Sequence, residues 1–390
     1  MNSFVSLQAM ILRAHENVTP ALWDFINGGT ESETTLRRNR QALDCLALKP
    51  RVLRDVSQVS TSTTFLGHKL NLPVMMAPVG SLALIDPGGA IPVARACAAA
   101  GTLMFYSTFA EPTVGKVSEA VAHPLILALY VRDDGPALDK VIDDAKAAGC
   151  VAIAIVTEAA YYSRRERDLM NQFLSKGSKS GSYADTQRIL AEGIAGEAMD
   201  RARARMAPAR LTWKTIERIR ARSGLPIILK GIATADDARI AVETGVEAIY
   251  VSNHGGRQLD HAAGSIDTLT EVVEAVEGRA EVVVDGGIYR GTDVIKAIAI
   301  GARAACIGRL QCWALAAGGE GALIRTLAIL EEEIIISMGL LGVTRIEDIK
   351  PTCLRAVQAI EPAGIFNPFP LVKEALFDKQ SVETAPLNLA

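Results

Sequence analysis

Aromatic residues make up only 5% of this chain of 390 residues, and lysine plus arginine (41) nearly balance aspartate plus glutamate (44). The resulting net charge of −3 argues against nucleic acid or an acidic membrane surface as a partner. Short clusters such as "RRERD" and "RARARM" read as solvated helix faces. None of the 6 cysteines (Cys45, Cys97, Cys150, Cys306, Cys312, Cys353) stands in a C-x-x-C pair. Several lie in apolar runs, where a thiol behaves as a small hydrophobe, so they are read as reduced and structural, with no metal site. No apolar run is long enough to span a membrane. Neither G-x-G-x-x-G nor a P-loop follows an early strand, which counts against a dinucleotide fold. The start "MNSFVSLQAMILRAHENV" lacks a basic region and spaces its apolar residues like a helix. It is not expected to be a signal peptide, and the final "NLA" is not a peroxisomal address. The expected compartment is cytoplasmic.

What the chain does have is a rhythm, beginning near residue 72. Eight short apolar runs recur: "LPVMMAPVG", "TLMFYSTF", "PLILALYV", "VAIAIVTE", "PIILKG", "AIYVSNHG", "EVVVDGG" and "AACIGR". Continuous apolar character, rather than alternation, predicts strands covered on both faces of a parallel sheet. Helical patterns separate most of them, many opening on Thr, Ser or Pro and stopping at Gly. Eight βα units predict a (β/α)8 TIM barrel as a single domain, with an open doubly wound sheet as the alternative. "EGALIRTLAILEEEIIISMGLLG" is expected to close the ring. Residues 1–70 read as an N-terminal helical extension plugging one end of the barrel. Residues 169–210, rich in Ser, Gly and Lys, read as a long mobile loop inserted after the fourth strand, at the face where barrel chemistry lies.

The strand ends carry Ser107, Tyr130, Glu158, Lys230, Ser252, Asn253, His254, Arg257, Asp285 and Arg309. Each alone is an ordinary solvated or turn residue. Together they surround one cavity at the C-terminal face. The stretches "VDGGIYRGTDV" and "CIGRLQ" place glycines and basic residues after strands seven and eight, where barrels bind phosphate through backbone N–H groups. Arg309 adds a guanidinium suited to that anion. In "YVSNHGGRQLD", His254 is a general base whose pKa lies near working pH. Arg257, three residues on, suits a carboxylate. A base beside a carboxylate clamp predicts a small carboxylate substrate that loses a proton, and the electrons then require a cofactor. His15, His68, His123 and His261 read as packing or surface histidines, and Trp213 and Trp313 as helix packing. Tyr161 and Tyr162 fall at the barrel mouth.

"SNHGGRQLD" resembles the signature of the FMN-dependent α-hydroxy-acid oxidases and dehydrogenases. The resemblance extends over "GGTESETTLRRNR", "MAPVG", "RRERDL", "LKGIATADDAR", "VVVDGGIYRGTDVIKAIAIGA" and "IGR". It implies a TIM barrel holding FMN, and oxidation of an L-2-hydroxy acid to a 2-oxo acid. It implies His254 as base, Glu158 in the place of an aspartate that stabilises the imidazolium, and Arg257 and Arg165 on the substrate carboxylate. Tyr130 is implied on the substrate oxygen and Lys230 at the flavin N1/O2 edge. Backbone of Ala77, Pro78 and Val79 faces the flavin, with Ser107 and Ser252 bonded to it. Asp285 holds the ribityl chain, and Gly286, Gly287, Gly308 and Arg309 take the phosphate. Besides Glu158, the chain departs from the family at five places. Trp23 stands for a carboxylate-binding tyrosine, Ala128 for a glutamine and Val156 for a threonine at the flavin. Phe109 stands for a tryptophan, and Tyr289 for a phosphate-end arginine, with Arg290 following. The resemblance further implies a homo-oligomer, a tetramer, and reoxidation by O2 or another acceptor. Alternatives are oxidation of an amine or a peptide-bound group on the same barrel, and a flavin-binding scaffold without activity.

Overall fold

The computed structural model describes residues 4–131, 135–171, 173, 196 and 210–377. Of the insertion at 169–210, residues 172, 174–195 and 197–209 lie outside that set, and with them the expectation of a mobile loop. Eight strands form a closed, wholly parallel barrel in chain order: β1 Val74–Met76, β2 Met104–Ser107, β3 Leu125–Leu129, β4 Ala152–Val156, β5 Ile227–Ile232, β6 Ala248–Val251, β7 Glu281–Val284 and β8 Ala304–Ile307. Closure of β8 onto β1, with Cys306 opposite Met75, rules out the open sheet. Every β3 and β4 residue is buried, as their unbroken apolar sequence predicts. Inside, the alanines Ala128, Ala152, Ala154, Ala248 and Ala304 leave room for the rings of Phe105 and Tyr250, whose centroids lie 4.9 Å apart. Leu127, Ile153, Ile155, Ile249 and Val284 face outward into the helix layer.

The N-terminal extension corrects one expectation. The barrel is plugged by a hairpin, Thr63–Phe65 paired with His68–Leu70, and not by helices. Phe65 and Leu70 are fully buried in the interior cluster, and Leu66 N donates to Glu281 at the start of β7 (2.8 Å). The alternation ieB on both short strands is what a two-sided hairpin needs. The three preceding helices pack against helices outside the barrel, the first two on the C-terminal stretch Arg309–Leu341 and the third on the helix Ser265–Val276. These are α1 (Leu7–Asn17), α2 (Pro20–Asn27) and α3 (Thr34–Asp44). The Thr19 hydroxyl accepts from Leu22 N (3.3 Å) and Pro20 opens α2, a favourable N-terminus for so short a helix. The C-terminal helical stretch Arg309–Leu341 closes the ring as expected, broken at Gly318–Gly319.

Candidate active site

A cavity of about 470 Å³ opens at the C-terminal ends of the strands. Ala77, Pro78, Val79, Ser107, Phe109, Tyr130, Arg165, Lys230, His254, Arg257, Asp285, Gly286, Gly287, Tyr289, Gly308 and Arg309 line it. Their gathering follows from the barrel, because parallel strands end on one face. Glu158 and Ser252 stand behind this lining and reach it through His254, Lys230 and Asp285.

Three more expected site residues do not line the cavity. The Trp23 ring stacks on Phe366 (5.9 Å) and Trp313 (6.3 Å), with His15 edge-on (4.9 Å). Phe25, two positions on, points into the cavity instead, since two residues along a helix are turned by roughly 200°. Ala128 and Val156 are buried in the barrel interior, in register with the lining residues Ser107 and Lys230 but not themselves exposed to the cavity. Arg290 also turns away, pairing with Glu333.

His254 follows β6 with φ of 59°, in the left-handed region. Its backbone N donates to Ser252 Oγ (3.0 Å). Its Nδ1 lies 2.9 Å from Glu158 Oε1, and its Nε2 faces the Tyr130 hydroxyl at 3.5 Å. A carboxylate on Nδ1 selects the tautomer with the proton there and leaves the Nε2 lone pair free toward the cavity. Burial lowers the imidazole pKa, and the charges of Lys230 and Arg165 add to that, against the Glu158 bond. The ring is therefore neutral at pH 7 and able to accept a proton.

Glu158 Oε1 also accepts from the Lys230 ammonium. Gly231, with φ of 108°, makes room for that carboxylate, since a Cβ there would collide with it. Burial by itself would raise the Glu158 pKa. The Lys230 charge and the His254 bond outweigh it and hold the carboxyl at about 2. Lys230, 2% exposed, also donates to Ser252 Oγ (2.9 Å), which donates to Asp285 Oδ1 (2.7 Å). Burial opposes the ammonium's charge, but Glu158 and Asp285 raise its pKa, so it stays protonated. Burial likewise pushes the Tyr130 phenol up to about 12, so it remains a donor.

The guanidiniums of Arg257 and Arg309 are held by carbonyls. Arg257 donates to Phe25 O (2.9 Å) and Gly28 O (2.6 Å), over the Phe25 ring. Arg309 donates to Asn27 O (3.3 Å), Gly28 O (2.8 Å) and Gly255 O (2.9 Å). Neither forms an ion pair with a carboxylate among the described residues. For Arg257, burial and the neighbouring Arg165 both disfavour the charged form. Such cations, held by neutral acceptors at a cavity wall, are suited to anions.

Sequence reasoning missed Phe25, and it missed the supports beneath the glycines. Arg40 of α3, 2% exposed, donates to Gly287 O (3.0 Å) and forms two bonds with Asp293 (2.8 and 2.9 Å). Asp293 in turn accepts from the backbone N–H groups of Tyr289 and Arg290 (both 3.0 Å). Only the "RRNR" stretch signalled these partners, and nothing in its spacing points across the fold.

The cavity fits FMN on its own geometry. Its wall carries the backbone of Gly286, Gly287 and Gly308, the side chains of Arg309 and Lys230, and the Asp285 carboxylate, groups that suit a phosphate, a ring edge and a hydroxylated chain. A Cβ on Gly308 would have only Ala77 Cβ nearby, at 4.0 Å, so the space beside Arg309 is open for a phosphate. The sequence profile of FMN-dependent dehydrogenases matches residues 14–356. The chain is 38% identical to an L-lactate oxidase of Nostoc sp. over 348 residues, 87% of this chain and 95% of that one. It is 38% identical to glycolate oxidase 3 of Arabidopsis thaliana over 352 residues, 88% and 93% of the two chains. A crystal structure of mandelate oxidase superposes with a TM-score of 0.82 at 34% identity, covering 92% of this chain and 100% of that one. This chain therefore belongs to the FMN-dependent dehydrogenase family, among the FMN-dependent 2-hydroxy-acid oxidases.

Proposed function

We propose that this protein oxidises an L-2-hydroxy acid to the corresponding 2-oxo acid, with His254 as proton acceptor. The observation that carries the reading is the His254 ring itself. Its Nδ1 is fixed on Glu158 and its Nε2 lies 3.5 Å from Tyr130, in the cavity that also holds Arg165 and Arg257. Arg257 and Arg165 bind the substrate carboxylate. That anion relieves the penalty that burial and mutual repulsion place on the Arg257 charge. Tyr130 donates to the substrate oxygen. His254 Nε2 takes up one proton, and Glu158 stabilises the imidazolium formed. FMN, when bound, would supply the acceptor for the two electrons and for the second hydrogen. Ala77, Pro78, Val79, Ser107 and Lys230 would face its ring system, and Asp285 its ribityl chain. Gly286, Gly287, Tyr289, Gly308 and Arg309 would hold its phosphate end. Lactate, glycolate and mandelate, the substrates in the relatives' names, define the class to test.

The experiment is an anaerobic titration of the holoenzyme with a panel of L-2-hydroxy acids, followed by visible spectroscopy. Bleaching of the flavin bands by one acid supports the reading and names the substrate. Readmitted air then separates O2 from another electron acceptor by the rate at which colour returns. A flavin that no hydroxy acid bleaches would defeat the reading and turn attention to amines.

A further inference from the structure

The turn that carries His254 is left-handed throughout. His254, Gly255 and Gly256 have φ of 59°, 64° and 73°, a conformation open to the two glycines and uncommon for the histidine, which therefore gains from being held there. Beyond the bonds of His254 to Ser252 and Glu158, the turn is held from α3. The side-chain amides of Asn39 and Asn253 pair reciprocally, with Asn39 Nδ2 donating to Asn253 Oδ1 (2.9 Å) and Asn253 Nδ2 donating to Asn39 Oδ1 (2.8 Å). Asn39 Oδ1 also accepts from Ser265 N (3.0 Å), and Asn253 Oδ1 from Gly256 N (3.0 Å). Asn253 N completes the set by donating to Ser265 Oγ (3.2 Å). The turn is pressed so close to the helix that a Cβ on Gly256 would fall 2.5 Å from the Leu36 backbone. Asn39 is 1% exposed and does not line the cavity.

We propose that Asn39 is a positioning residue for His254: through Asn253 it holds the left-handed turn that brings Nδ1 onto Glu158 and Nε2 into the cavity. The proposal rests on His254 being the proton acceptor. A purely structural role predicts something different, and Thr35 of the same helix supplies the comparison. Thr35 is fully buried and ties α3 to the same connection farther along, donating to Leu259 O and accepting from Ala262 N (both 2.9 Å). It makes none of the contacts that hold the His254 turn.

The test compares Asn39→Ala, Asn39→Asp and Thr35→Val holoenzymes for FMN content, Tm, kcat, KM and the deuterium isotope effect at substrate C2. Misplacing a catalytic group by about 1 Å costs on the order of 10²-fold in rate. Asn39→Ala is therefore expected to lower kcat by tens-fold to about 10²-fold with KM within about twofold, FMN content retained, and a larger isotope effect. Asn39→Asp keeps the acceptor and loses the donor, so its loss falls between. Thr35→Val lowers Tm and leaves kcat unchanged. Equal effects of the Asn39 and Thr35 variants on kcat overturn the proposal. Should Asn39→Ala fail to fold, an unchanged kcat in Asn39→Asp overturns it. If no hydroxy acid reduces wild type, the functional reading fails separately. The imidazole 15N shifts of His254 then decide: one tautomer in wild type and a mixture in the Asn39 variant supports the positioning role, and one tautomer in both overturns it.

Discussion

Glu158 Oε1 accepts from both Lys230 Nζ and His254 Nδ1, the latter at 2.9 Å, so one carboxylate oxygen serves the buried cation and the candidate base together. Glu158→Gln removes the charge that both partners use. We expect kcat to fall by about 10²- to 10⁴-fold, because the tautomer is no longer selected and the imidazolium is no longer stabilised. Lys230 would be left as a buried charge without its main partner, a change that costs about 3–5 kcal/mol. Steady-state kinetics and denaturant unfolding measure the two losses separately. A wild-type kcat in this variant would remove Glu158 from the chemistry.

The depressed pKa of His254 gives the activity a defined pH dependence. Its causes are burial first, then Lys230 and Arg165, against Glu158. The ring must be neutral to accept a proton. The acid limb of kcat/KM is therefore expected below the ordinary imidazole value of 6.5. Stability moves the same way. Both His254 and Glu158 bind protons less readily folded than unfolded, so their contributions are lost as pH falls. For Glu158 the contribution is complete above 4.5 and disappears as pH drops through about 2. A kcat/KM profile and an acid-unfolding curve check these windows, and an acid limb above 6.5 would contradict the first.

Arg257 is expected to act on the substrate and not on the cofactor. Hydrogen bonds to a charged group contribute about 1.5–3 kcal/mol, so Arg257→Met should lower kcat/KM for the hydroxy acid by about 10- to 10²-fold. FMN stoichiometry should be unchanged. Loss of FMN with an unaltered KM would reassign the residue.

Gly308 offers a test of the phosphate end. A Cβ there meets only Ala77 Cβ at 4.0 Å, and its φ of −102° suits any residue. Gly308→Val should therefore leave the stability of FMN-stripped protein within about 0.5 kcal/mol of wild type. It should weaken FMN binding, measured by fluorescence titration, because the side chain takes the space beside Arg309. Equal FMN affinity in the two proteins would place the phosphate elsewhere.

All eight strands were legible because a strand covered on both faces must be apolar throughout, and that signal is local. Their ends were less so. "AIYVSNHG" reads as one run, yet β6 stops at Val251, because Asn253 and three left-handed residues follow it. The plug was misjudged for a related reason. Phe65 and Leu70 lie in strands of three residues, too short for a periodic signal, and only the barrel's open end explains their burial.

By itself the sequence determined the parallel barrel, the face that carries the chemistry, and the histidine, lysine and arginines that meet there. These follow from hydrophobic periodicity and from the position of polar residues at strand ends. Tertiary structure decided which supports those residues receive. It turned Trp23 into an aromatic stack and Phe25 into the cavity, brought Asn39 against Asn253 across 214 positions of chain, and laid Arg40 beneath Gly287. Polar pairing between distant segments leaves no periodic trace along a chain. It arises only when packing brings two buried donors and acceptors within reach and water is no longer there to satisfy them.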